Sequence, residues 1–134
     1  MDTMALTRPA APRKLRLTLA TGQAAVAVAR CEVRAAIRAW NVPVDSAVAV
    51  RLTSKLVTNA LGREAGKTIE LVISCALGQL QVDVYDTSPA VALPGGAPAG
   101  LEAGREVMLL ASLSGSWGYY RTPTSEARYF TLMF

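Results

Sequence analysis

At 134 residues the chain has the length of one domain, long enough to bury roughly two-thirds of its unfolded surface without a disulfide or metal staple. It contains no histidine, which excludes imidazole general bases, Ser-His-Asp triads, histidine metal sites and histidine phosphoacceptors together. Fourteen Lys and Arg against ten Asp and Glu leave a net +4, unevenly placed: residues 1–38 carry +5 and the remainder −1.

The opening "MDTMALTRPAAPRK" has no apolar stretch of the signal-peptide kind, so the expectation is a cytoplasmic protein, with residues 1–13 a disordered arm before a single domain over 14–134. "KLRLTLA" (14–20) alternates apolar and polar residues and is predicted to be a half-buried strand. After Thr21-Gly22, Val26, Ala29, Val33, Ile37 and Trp40 recur at helical spacing. The run "ATGQAAVAVAR" is closed by Arg30 and falls well short of the ~20 residues of a membrane span, so no membrane partner is expected.

Arg30, Arg34 and Arg38 form a stripe along this first helix. Such a stripe is either a solvated face or a docking face for an acidic partner, and without interleaved aromatics a protein fits it better than a nucleic acid. Pro43 interrupts, and Asp45 or Ser46 caps a second helix over about 45–62, followed by the turn-prone "GREAGK". Ala47, Val48, Val50, Leu52, Leu56, Val57, Ala60 and Leu61 make that helix apolar nearly all round, which places it between layers. Lys55 and Asn59 sit on it one turn apart, an ammonium and a carboxamide on one face.

"TIELVISCA" (68–76) and "LQVDVYD" (80–86), joined by "LGQ", read as an antiparallel hairpin. Residues 87–104, with four glycines and three prolines, read as a long loop, and "REVMLLASLS" as a short helix. "SWGYYRT" and "ARYFTLMF" close the chain as a second hairpin around Pro123-Thr124. The sum is an α+β fold, a two-layer sandwich. Cys31 and Cys75 lack C-x-x-C spacing and are expected to be buried, reduced thiols, with one disulfide between them the alternative in an oxidising compartment.

Four polar features call for an explanation: Lys55, Asn59, Asp86 at a strand end, and Gly104-Arg105 where loop meets helix. Each has an ordinary one. Lys55 can snorkel to water, Asn59 can bond near a helix end, Asp86 can start the "DTSP" turn and Gly104 can begin a helix.

In this order, however, "LTSKLVTNAL", "VDVYDTSP", "GREVMLL" and "SWGYY" resemble the ATP-binding domain of the GHKL superfamily. The resemblance runs from about residue 14 to 134 and is strongest to the stand-alone anti-sigma factor serine kinases numerous in actinobacteria. It implies a Bergerat-type sandwich, a mainly antiparallel sheet with helices packed on one face, and ATP and magnesium as cofactors. By resemblance Asn59 matches the asparagine that holds the metal, and Lys55 stands where the family's catalytic glutamate belongs. Arg63 lies where an arginine-histidine-glycine often follows. Asp86 and Ser88 match the D-x-S-P form that takes the adenine amino group. Gly104 and Arg105 match the phosphate-facing G-R-G-L, in which Glu106 replaces the second glycine; Trp117-Gly118 matches a structural pair.

The departures have physical weight. At ~5 Å and an effective dielectric of ~20, an ammonium repels Mg²⁺ by roughly 6 to 7 kcal/mol before screening, and the glutamate's attraction is lost as well. Glu106 either competes for the N–H groups that would hold phosphate, even pairing with Lys55, or points to solvent as an ordinary first-turn acid. The resemblance therefore implies a degenerate regulator that binds a sigma factor or anti-anti-sigma partner. Its alternatives are an active ATP-dependent serine kinase in which Lys55 holds phosphate directly, and an interaction module working through Arg30, Arg34 and Arg38. It also implies a homodimer, for which Tyr119-Tyr120 and "RYFTLMF" offer apolar surface.

Overall fold

A computed structural model describes residues 12–20, 22–61, 68–86 and 115–134. In chain order these form β1 (Arg13–Ala20), α1 (Gln23–Ala39), α2 (Ser46–Leu61), β2 (Thr68–Ala76), β3 (Gln79–Asp86), β4 (Trp117–Arg121) and β5 (Glu126–Met133). The strands make one sheet in the order β1-β2-β3-β5-β4, every neighbouring pair antiparallel. The fold is of the α+β class, with element bounds within a few residues of those expected. The predicted arm (1–11 of it), the "GREAGK" turn, the 87–104 loop and the 105–114 helix lie outside the described residues.

Strand alternation decides which face meets the helices. Leu19, Ile69, Leu71, Ile73, Val82 and Phe130 share one side of the ladder and enter a single core with Ala29 and Val33 of α1 and Leu52, Leu56 and Val57 of α2. The helices pack on each other, with α1 over β2 and α2 over β3 and β5.

Each helix end has a local cause. Asp45 rather than Ser46 caps α2: its Oδ1 accepts from the Ala47 N–H at 2.9 Å and the Val48 N–H at 3.4 Å. α1 stops before Pro43 is reached. Asn41 takes the left-handed conformation at φ 52°, the Val42 N–H reaches back to the Ile37 carbonyl at 2.9 Å, and Asn41 N–H reaches Arg38 at 3.3 Å. Val42 and Ile37 are both buried, so an apolar contact seals this stop.

Three expectations need correction. Ala47 is exposed and Val48 half-buried, because Ala47 falls on the outer face of α2 with Arg51 and Thr58, while Ala49 of the same turn is the one that enters the core. Cys31 is exposed, since it falls on the same outer face of α1 as Arg34 and Arg38; both cysteines are free thiols. Of "RYFTLMF", Phe130 and Leu132 belong to the core, leaving Met133 and Phe134 exposed.

The β2–β3 turn is tighter than expected, with Leu77 and Gly78 alone at its corner at φ 54° and 75°. Positive φ at both positions suits Asn-Gly and strains a leucine, and Leu77 is 90% exposed, so burial offsets none of that strain. Leu77→Asn is expected to raise stability by about 0.5 to 1 kcal/mol, read as a higher urea midpoint at unchanged slope.

Candidate functional site

The candidate site begins where α2 crosses the sheet. Lys55 and Asn59 are both half-buried on this helix, flanked by the buried Leu56, Val57 and Ala60. Asp86 ends β3 and is buried, on the same side of the ladder as Val82 and Val84 and thus toward the helices. The chain leaves α2 at Leu61 and enters β2 at Thr68, whose neighbour Ile69 is the cross-strand partner of Asp86. One short connection therefore links the turn carrying Asn59 to the end of the sheet carrying Asp86. Arg63, Ser88, Gly104, Arg105 and Glu106 lie outside the described residues.

Two further charged residues, in no motif of the sequence, lie beside Asp86. Glu126 is the cross-strand partner of Asp86, and Arg128, buried at 5% exposure, is diagonal to it on the same face. Arg128 Nη2 lies 4.0 Å from Glu126 Oε1, and Arg121 Nε lies 3.4 Å from Glu126 Oε2. The helix-facing side of β5 is thus divided, with Phe130 and Leu132 apolar and Arg128 and Glu126 charged. Alternation in "EARYFTLM" held that signal: Phe130 and Leu132 mark the inward parity, and Arg128 and Glu126 share it.

The donor set can be compared with the ligands the resemblance implies. A buried carboxylate at a strand end fits an amino donor such as that of adenine. The Lys55 and Asn59 pair does not fit a magnesium ion, because one neutral amide oxygen is accompanied by an ammonium a single turn away. Among the described residues no group of three or more Asp, Glu, Cys or His could hold a metal.

A second polar cluster lies on the opposite face of the sheet. Tyr120 donates its hydroxyl to Asp83 Oδ2 at 3.0 Å, and its oxygen lies 2.7 Å from the Tyr85 hydroxyl, while Gln81 Nε2 sits 3.1 Å from both Asp83 oxygens. Ala127 stands between Tyr85 and Tyr120 in the ladder, and its small side chain lets the two hydroxyls meet across it. The Tyr85 and Tyr120 rings meet edge to face at 6.1 Å. Tyr120 is therefore bound within the fold, leaving Tyr119 of the pair exposed.

Burial pushes the Asp83 carboxyl above its ordinary range, a rise held back by the Tyr120 and Gln81 hydrogen bonds and by the Lys14 charge. Burial, the Tyr85 contact and the Asp83 carboxylate push the Tyr120 phenol upward too. Because folded Asp83 holds its proton more tightly than the unfolded chain does, its ionisation subtracts stability as pH rises from about 4 through the folded pKa. Asp83→Asn removes that slope. In urea titrations the variant is expected to gain on the wild type as pH climbs from about 4 to 7, whatever constant offset the altered Gln81 contact adds.

Arg30, Arg34 and Arg38 are all exposed on α1, as is Arg51 on α2. No helix among the described residues is long and apolar enough to cross a membrane. No family model matches the sequence, and no curated protein matches it either.

Proposed function

We propose that the chain is a regulatory protein of the anti-sigma factor kinase type, degenerate in nucleotide binding, which acts by binding a sigma factor or an anti-anti-sigma partner in the cytoplasm. The observation that carries this reading is Lys55, a half-buried ammonium one turn from Asn59 on a helix that packs over the strand ending in buried Asp86. Asn59, Arg63, Asp86, Ser88, Gly104 and Arg105 would hold what nucleotide still enters, and Asn59 would be the one remaining ligand for Mg²⁺. The exposed stripe of Arg30, Arg34 and Arg38 supports an acidic protein as partner; nucleic acid is not proposed, since +4 is a modest charge for that role. Exposed Tyr119, Met133 and Phe134 support a homodimer.

Isothermal titration with ATP, with and without magnesium, tests the reading: weak binding that magnesium fails to strengthen is expected, and tight magnesium-dependent binding contradicts it. The second reading, an active serine kinase, draws on the place of Lys55 on α2 one turn from Asn59, from which an ammonium would grip a phosphate oxygen in place of a metal. Under that reading Lys55→Ala abolishes transfer from labelled ATP to a partner's serine, and the absence of transfer under any metal condition removes it.

A further inference from the structure

The two edges of the sheet are unlike. β4 is five residues long, and Gly118 at its second position is overlaid by the Tyr129 ring, 3.0 Å from where a Cβ would stand. β1 is eight residues long, contains neither glycine nor proline, and pairs with β2 in unbroken register from Arg13 opposite Cys75 to Ala20 opposite Thr68. Among the described residues no strand lies on its other side. Every second residue of β1 therefore turns its N–H and C=O outward.

The side chains along that edge have a pattern. On the helix side, Leu19 is in the core but Leu15 and Leu17 are only half-buried, because the helices lie chiefly over β2, β3 and β5. On the opposite side are exposed Lys14, Arg16 and Thr18, and Arg13 leads the strand. Arg16 pairs with Glu70 on β2; no acid occurs within β1 itself.

We propose that the open edge of β1 is a strand-addition site for an extended protein segment in which acidic and apolar residues alternate. Backbone groups supply the ladder, the apolar residues extend the core across Leu15 and Leu17, and the acids meet Lys14 and Arg16. Charge selects this occupant over a second copy of the chain, which brings the same three cations to the edge and, beside them, only Glu70, already paired with Arg16. Basic residues on an edge guard a sheet against unwanted pairing, and here the same residues sort incoming strands by sign. The site needs only the strand order and the charges, so it stands independently of any nucleotide pocket.

The test uses the full chain and an acetylated, amidated octapeptide of alternating glutamate and valine, with a lysine and valine octapeptide and a thymidine oligonucleotide as controls. The acidic peptide is expected to bind at least about tenfold more tightly than the basic one, and alternate amides of residues 13–20 to gain protection from hydrogen exchange. Lys14→Glu with Arg16→Glu is expected to reverse the preference, with circular dichroism verifying that the variant is folded. Equal binding of both peptides, absence of binding, protection elsewhere than β1, tighter binding of the oligonucleotide at β1, or self-pairing through β1 would each overturn the proposal.

Discussion

Replacing Lys55 by glutamate is expected to strengthen magnesium-dependent ATP binding by about tenfold or more. The exchange moves the local charge by two units beside Asn59, one turn away on a helix whose neighbouring residues are buried. The bare Coulomb figure of roughly 6 to 7 kcal/mol for an ammonium against Mg²⁺ will shrink several-fold with solvent and relaxation, yet a fifth of it, ~1.4 kcal/mol, is already a factor of ten. Lys55→Met separates two contributions, because it removes repulsion without adding attraction and should fall between wild type and Lys55→Glu. Titration calorimetry in magnesium and in chelator reads all three proteins. If Lys55→Glu and Lys55→Met behave alike, the side chain at 55 does not face the metal position and the degenerate-pocket reading fails. If Lys55→Glu binds no ATP in either condition while wild type does, the amine grips phosphate directly, as the kinase reading requires.

Much of the architecture was legible because one side of each element is apolar. Alternation in "KLRLTLA" and "TIELVISCA" specified strands, and the spacing of Ala29, Val33 and Ile37 specified the buried stripe of α1. The α1 stop was misattributed for a physical reason: a proline is visible in any sequence, whereas Asn41 in a left-handed conformation depends on two backbone hydrogen bonds. Asp83 shows a harder limit. By alternation it points away from the core, yet it is 4% exposed, because Tyr120 and Gln81 gather around it and Tyr120 comes from a strand 37 residues later. Among the candidate site residues, Lys55, Asn59 and Asp86 fall on the helix-facing side of the fold. Arg128 and Glu126 belong to no motif, so only their parity on β5 marks their orientation in the sequence.

Phe130→Ala is expected to be the most destabilising single change, by about 3 to 5 kcal/mol. Phe130 is the largest fully buried side chain among the described residues, on β5 opposite Val82 on one side and Trp117 on the other, so truncation opens a void that β3, β4 and the helices cannot all close. Set against a total of roughly 5 to 15 kcal/mol for such domains, this removes about a fifth of the stability or more. The thermal midpoint should fall by on the order of 10 °C. Phe130→Leu, which keeps most of the volume, should cost about 1.5 kcal/mol, whereas Met133→Ser at the exposed end of the same strand should stay within about 0.5 kcal/mol. The position of Phe130 gives the loss a further consequence. It and Leu132 are the apolar half of the strand whose other half places Glu126 and Arg128 beside Asp86, and a buried guanidinium keeps its geometry only while its strand is held down. Hydrogen exchange in Phe130→Ala should therefore rise at Glu126 and Arg128 as well as at 130, while β1, separated from β5 by two strands, changes less; a uniform rise across the sheet would show that β5 does not position the charged end locally.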